Sequence, residues 1–218
     1  MGGKKRERNY YSDGTSSDSS EDFQMDILDK YRSLVYDAGN TIYFLEEVNV
    51  VNIQKFIRLV EHKLKDKDYN EEINLTYIVN SGGGSTFDKL LFVDFIRLTK
   101  KKYPNLKFTS VATGAIASAA TTMCLIADER LITSNTTSMI HELQAGISRR
   151  TITHIKSTKK MFEMLHKDCI NIYMEHINKD ENGNPKTSRE ELELLLLKET
   201  YYTADEYVKA GFADRVIE

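Results

Sequence analysis

Residues 73–86 read INLTYIVNSGGGST and join a strand signal directly to a turn signal. The run at 73–79 is apolar and rich in β-branched residues, which is typical of a buried strand. The turn at 80–86 contains three consecutive glycines, and an amphipathic helical pattern occupies residues 87–100. The stretch therefore predicts a strand, a tight turn and a helix, the unit from which α/β folds are built.

The same alternation continues on both sides of this stretch. A helix with apolar residues at helical spacing is predicted at 51–64, and small apolar residues at 116–127 predict a second, buried helix. The other predicted strands are residues 41–45, 107–112, 130–133 and 138–140. Strands that alternate with helices predict an α/β domain with a largely parallel sheet and right-handed crossovers.

The pattern changes in the C-terminal part of the chain. Residues 150–177 form one long helical pattern with a stripe through Met161, Leu165, Cys169 and Tyr173. The stripe either packs on its own domain or meets a second copy of the chain, and an apolar stripe on a projecting helix favours self-association.

Two shorter helices are predicted after a polar loop. Ser188, with Glu191 three residues later, predicts a capped helix that ends near Leu197. Thr203 predicts the start of a last helix that ends near Gly211.

The composition of the chain limits the classes of protein to which it can belong. The chain has 218 residues, 40% of them hydrophobic, and a net charge of −3, so we expect one domain with a core and no face reserved for nucleic acid. No apolar run reaches about 18 residues, and we expect neither a membrane span nor a signal segment. Cys124 and Cys169 show no metal-binding or redox spacing, which favours a reducing compartment. The polar composition of residues 1–28 predicts a disordered tail.

Three segments contain the candidate chemistry. The glycine run in 80–85 exposes backbone N–H groups that could bind an oxyanion, although a glycine run is also a common tight turn. Ser118 lies among small residues in GAIASAATTM (114–123), a pattern that also permits close helix packing. His141 follows a short apolar strand in SMIHE (138–142), where it is either a structural histidine or a general base.

A serine hydroxyl becomes a useful nucleophile when a base takes its proton, a third group orients the base and two donors stabilise the oxyanion. The three segments together supply residues of the required types. Their spacing alone does not decide the matter, because triads are defined by geometry and not by chain order.

Taken in order, NSGGG, GAIASAA, SMIHE and YYTADEYVKAGFAD resemble the proteolytic subunits of the Clp protease family. The resemblance runs from about residue 40 to the C-terminus, apart from the loop at 178–190. It implies a ClpP/crotonase-like α/β fold of stacked βαβ units. The head would comprise 29–142 and 178–218, and a projecting handle of a strand and a long helix would comprise 143–177, with its strand starting at Gln144.

The resemblance also implies the roles of individual residues. Ser118 matches the nucleophile of the family and His141 matches its base. Counting back without a gap from YYTADEY places Glu199 where the family has its aspartate. The backbone N–H groups of Gly83 and Ala119 match the oxyanion donors.

Two positions depart from the family in the oxyanion region. Gly82 stands where proline is usual, and Ala119 stands where methionine is frequent. Because the donors are backbone groups, the side chain at 119 does not alter the donor itself.

The function implied is that of a serine endopeptidase, with no metal and no cofactor. Polypeptide substrates would be cleaved inside an oligomeric ring, of which a double heptamer is one form, and an AAA+ unfoldase is the implied partner. We expect no nucleic-acid or membrane partner and a cytoplasmic location, in the host cytoplasm if the chain is a divergent viral member.

Other readings of the same residues remain open. A catalytically inactive ring subunit would keep the fold, and the glutamate at 199 leaves room for it. A crotonase-like acyl-CoA enzyme would use the same oxyanion donors without needing Ser118 and His141. A membrane-bound signal-peptide peptidase is related in fold but would use a Ser-Lys dyad and usually an anchor, and the lack of an apolar run long enough for an anchor counts against it.

Overall fold

The computed structural model describes residues 34–146 and 150–218, so the predicted tail at 1–28 lies outside the described part. The strands within it are β1 (Val35–Ala38), β2 (Thr41–Phe44), β3 (Ile73–Ser81), β4 (Leu106–Ala117), β5 (Glu129–Thr133), β6 (Thr137–Ile140), β7 (Thr200–Tyr202) and β8 (Arg215–Ile217). The helices within it are α1 (Val50–Leu64), α2 (Thr86–Lys102), α3 (Ala119–Leu125), α4 (Ile152–His176), α5 (Arg189–Leu197) and α6 (Ala204–Lys209).

The strands form one sheet in the order β1-β2-β3-β4-β5-β8. From β2 to β8 the neighbours in this order are parallel, and β1 adds an antiparallel edge to β2. The connections from β2 to β3 and from β3 to β4 run through α1 and α2. The predicted α/β class with a largely parallel sheet is confirmed.

The long strand β4 pairs with two different partners. Its residues 109–112 pair with β5, whereas 115–117 pair with β6, which pairs in turn with β7. Gly114 lies between the two segments with a φ of 60°, a conformation that glycine adopts without the steric cost of a Cβ. The end of β4 therefore changes its partner on one side from β5 to β6, while Ile116 still pairs with Ser81 of β3, and it carries Ser118 towards β6.

An aromatic cluster fixes α1 and α2 against the sheet. Phe56 of α1 and Phe92 of α2 have ring centroids 4.9 Å apart, and both rings contact Tyr77 of β3. The three side chains are fully buried, and each such residue contributes on the order of 2 kcal/mol of hydrophobic stabilisation. The buried hydroxyl of Tyr77 donates to the Met123 carbonyl at 2.7 Å and so joins β3 to α3.

One local prediction was wrong. Residues 116–117 belong to β4 and α3 begins at Ala119, whereas the sequence predicted a helix from residue 116. Small apolar residues are compatible with a helix or with a strand. Residues 116–117 form a strand because they pair with β6. Residues 143–146 have no strand assignment and 147–149 lie outside the described part, so the handle strand that starts at Gln144 stays a prediction.

The predicted long helix is present as α4, and its two halves have different surroundings. Its last turns are buried through Ile170, Ile172 and Tyr173, while the first half is mostly exposed, with Ile152 at 75% and Met164 at 58%. The division into head and handle stays a prediction.

In the part of the chain that the structure covers, no helix combines the length and the apolar character needed to cross a membrane.

Candidate active site

Three chain segments meet where parallel strands end. The glycine turn follows β3, Ser118 follows β4 and His141 follows β6. β3 and β6 are both parallel neighbours of β4, so the carboxyl ends of the three strands lie at one edge. Open α/β sheets bind their ligands at this edge, because the loops there converge around a crevice.

Ser118 occupies a sharp turn between β4 and α3. Its backbone has φ 54° and ψ −122°, a conformation that is uncommon for any residue other than glycine. The Ser118 N–H donates to the Met139 carbonyl at 2.9 Å, and this bond holds the turn to the end of β6. The hydroxyl does not cap α3, although serine at a helix N-cap commonly does so. The backbone is thus held in a strained conformation while the hydroxyl is left available for chemistry.

The glycine turn packs directly against this serine. Gly83 has a φ of 95°, and a Cβ at Gly83 would lie 2.6 Å from the Ala117 carbonyl oxygen and 3.0 Å from the Ala119 nitrogen. The Gly83 carbonyl accepts from the Val48 N–H at 2.8 Å, which anchors the turn to the segment before α1. The turn therefore sits within contact distance of the residues on both sides of Ser118.

The two predicted oxyanion donors differ in their present bonding. Ala119 is the first residue of α3, so its N–H has no acceptor within the helix. The Gly83 N–H donates to the Ser81 hydroxyl at 3.2 Å, at the long end of the range for such bonds. An oxyanion at Gly83 would compete with that weak bond.

His141 lines the same cavity as Ser118 and is half-buried. Its Nδ1 is buried and has no hydrogen-bond partner among the described residues. A buried polar nitrogen without a partner costs on the order of 1–3 kcal/mol, so the ring is short of one bond in this conformation.

His141 and Glu199 lie next to the last paired residues of β6 and β7, and no hydrogen bond joins their side chains among the described residues. β6 and β7 are antiparallel, and their pairing ends with Ile140 opposite Thr200. Glu199 has a φ of 52°, and the Glu142 N–H donates to the Leu196 carbonyl at 3.0 Å, so the ladder does not continue through Glu199. The Glu199 side chain is exposed, and its carboxylate accepts from the Tyr201 hydroxyl at 3.1 Å. This hydrogen bond and the charge of Glu199 raise the pKa of Tyr201. The triad acid therefore stays a prediction.

The cavity that contains Ser118 and His141 has a volume of about 300 Å³. Sequence reasoning missed several of its polar residues, which are Thr86, Lys89, Thr122 and His166. Cys169 and Tyr173 were predicted only as members of the stripe on α4, because helical spacing does not indicate a binding role. A larger depression of about 840 Å³ lies against the C-terminal parts of α1 and α2 and contains none of the predicted site residues.

Comparison with known proteins agrees with the fold. The family model described as Clp protease matches residues 26–218, which is most of the chain. No curated protein gives a significant match. The parallel sheet, the flanking helices and the extent of this match show that the chain has the Clp protease fold and belongs to the Clp protease family.

Proposed function

We propose that this chain is a serine endopeptidase that cleaves polypeptides through an acyl-enzyme intermediate, with Ser118 as nucleophile and His141 as base. The observation that carries the proposal is the strained Ser118 turn, which is in contact with the glycine turn and shares a cavity with His141. Backbone strain is concentrated at functional sites in proteins, because elsewhere selection removes it.

Each group has a chemical role in this proposal. The Ser118 Oγ attacks the scissile carbonyl while His141 takes the serine proton, and His141 then gives a proton to the leaving amine. The N–H groups of Gly83 and Ala119 donate to the tetrahedral oxyanion. Water activated by His141 hydrolyses the acyl-enzyme and restores the free serine.

Glu199 completes the triad in the proposal by turning from Tyr201 to the unpartnered Nδ1 of His141. The end of the β6–β7 ladder supports this assignment, since Ile140 pairs with Thr200 and their chain neighbours His141 and Glu199 adjoin that pair. A carboxylate at Nδ1 would fix the imidazole tautomer and stabilise the imidazolium formed during attack.

The working form in the proposal is a ring of subunits whose chamber encloses the site. The exposed apolar residues in the first half of α4 support self-association, because patches of this kind on a lone chain mark interaction surfaces. Members of the Clp protease family generally form rings and act with unfoldases, so an AAA+ unfoldase in the cytoplasm is the proposed partner.

The experiment is labelling of the assembled protein with a fluorophosphonate, followed by mass spectrometry to locate the adduct. We expect an adduct on Ser118 and cleavage of a casein or peptide substrate, both absent in Ser118→Ala. An adduct at another serine, or cleavage unchanged in Ser118→Ala, would contradict the mechanism.

One observation favours a second candidate, a catalytically inactive ring subunit. The only described partner of the Glu199 carboxylate is Tyr201, and the Nδ1 of His141 has none among the described residues. A folded ring that resists the fluorophosphonate and cleaves nothing, alone or with an unfoldase, would support this candidate.

A further inference from the structure

A lysine is buried in the wall of the cavity that contains Ser118. Lys89 belongs to the first turn of α2 and is only 5% exposed. Its ammonium donates to the Cys169 thiol of α4 at 2.8 Å, and both residues line the cavity. No pattern in the sequence predicts this pair, because the two residues are 80 positions apart.

The described structure provides no counter-ion for this charge. None of its ion pairs includes Lys89, and the described acceptor is a thiol, which accepts hydrogen bonds weakly. A buried ammonium is normally paired with a carboxylate, since burial removes the water that stabilises the charge. An anion that entered the cavity would supply the counter-ion that Lys89 lacks.

Neither Glu142 nor His166, two other ionisable side chains that line the cavity, supplies the counter-ion that Lys89 lacks. Glu142 lies at the exposed margin, and it forms no ion pair with Lys89 within 4.0 Å in the described residues. His166 of α4 is half-buried on the same wall and cannot act as a counter-ion for a cation. Lys89 is thus the buried charge that a substrate side chain would meet.

We propose that Lys89 determines specificity and selects polypeptides with glutamate or aspartate immediately before the scissile bond. The inference rests on the proposed function, because it is Ser118 that fixes where the scissile carbonyl lies. A volume of about 300 Å³ is at the lower end of the range for ligand pockets, and it suits one side chain entering beside Ser118.

The physical basis is the attraction between opposite charges in a site shielded from water. A substrate carboxylate would take an N–H donor that the thiol engages weakly, and charge-assisted hydrogen bonds are the stronger kind. An uncharged side chain of the same size would leave the ammonium buried and unpaired. The pocket that receives the residue before the scissile bond sets specificity in the same way in other serine peptidases.

The test compares two fluorogenic peptides that differ only in glutamate or glutamine before the reporter group. Their kcat/KM values are measured with the assembled wild-type protein, Lys89→Met, Lys89→Gln and Lys101→Met. Lys101 is an exposed lysine on the same helix and serves as the matched control. We expect the glutamate peptide to be favoured by at least about tenfold in the wild type and in Lys101→Met, and the preference to vanish in both Lys89 variants.

A second measurement separates this inference from the catalytic proposal. Anisotropy of the same peptides with Ser118→Ala requires no cleavage and should show tighter binding of the glutamate peptide, and the added Lys89→Met change should abolish the difference. Equal kcat/KM values for the two peptides, with Ser118 still labelled by the fluorophosphonate, would overturn the inference and leave the proposed function intact. A wild type without label, but with charge-selective binding that depends on Lys89, would contradict the peptidase and would keep only the recognition of an acidic side chain by Lys89.

Discussion

A Cβ at Gly83 would lie 2.7 Å from the Cβ of Ser118. Real Cβ atoms do not approach so closely, so the glycine turn after β3 and the serine turn after β4 leave no space for a side chain between them. This close packing holds the proposed nucleophile against the turn that contains one proposed oxyanion donor. Such preorganisation is what a transition-state oxyanion site requires.

The first prediction concerns this contact. Gly83→Ala should destabilise the fold by on the order of 2 kcal/mol and abolish labelling of Ser118, because the new methyl group meets the Ala117 carbonyl and the φ of 95° disfavours alanine. Thermal unfolding and fluorophosphonate labelling measure the two effects.

Gly82→Ala is the control for that change. A Cβ at Gly82 has no heavy atom within 4 Å, and its φ is not positive. We expect its stability and labelling to stay close to those of the wild type. Equal effects of the two substitutions would show that the glycine turn is not packed on Ser118.

The second prediction separates strain from chemistry at Ser118. Glycine adopts φ 54° and ψ −122° more readily than alanine does, so Ser118→Gly should be more stable than Ser118→Ala by about 1 kcal/mol. Both variants should lack peptidase activity. Urea unfolding gives the difference, and a Ser118→Gly variant that is less stable than Ser118→Ala would show that the turn is relaxed in solution.

The third prediction tests Glu199 as the triad acid. Glu199→Gln should lower kcat by up to about 10⁴-fold, because an amide favours the wrong tautomer of His141. Glu193→Gln, an exposed position on α5, is the control and should leave kcat unchanged. Activity that hardly changes in Glu199→Gln would mean that another group orients His141.

Tyr201→Phe provides a complementary test of the same assignment. The hydroxyl of Tyr201 now holds the Glu199 carboxylate, so its removal should free the carboxylate and leave kcat equal to or above that of the wild type. A loss of activity as large as that of Glu199→Gln would show that the Tyr201–Glu199 bond belongs to the active arrangement.

The fourth prediction concerns pH and stability. Burial lowers the pKa of His176 below its ordinary value of 6.5. Burial alone would raise the pKa of Asp214, but hydrogen bonds from Arg130 and Asn178 outweigh it and hold this pKa below 3.8. Both groups bind fewer protons in the folded state than in the unfolded state. The free energy of unfolding should therefore decrease as the pH is lowered, first below pH 6.5 because of His176 and again below pH 3.8 because of Asp214.

Urea unfolding at a series of pH values measures this dependence. His176→Gln should reduce the loss of stability between pH 7 and pH 5, whereas His154→Gln, an exposed position on α4, should not. An unchanged pH profile in His176→Gln would show that the histidine does not titrate differently on folding.

Local signals in the sequence determined several features correctly. Ser188 accepts from the Glu191 N–H at 3.2 Å and begins α5, and Thr203 forms a reciprocal capping box with Glu206 at the start of α6. These bonds span three residues, so the residue types alone specify them. The alternation of strand and helix was also predictable, because it depends on hydrophobic spacing between residues close together in the chain. The order of the segments that contain Ser118 and His141 is likewise a property of the sequence.

Tertiary structure decided what depends on distant partners. β4 extends to Ala117 because β6 pairs with it, and this pairing holds Ser118 in a conformation that its neighbours in the chain do not favour. The bond between Lys89 and Cys169 joins α2 to α4, and no periodicity within either helix predicts it. The sequence thus determined which groups are present and in what order. Only packing between distant segments decided which of them share the cavity, because such contacts depend on the whole sheet and not on spacing along the chain.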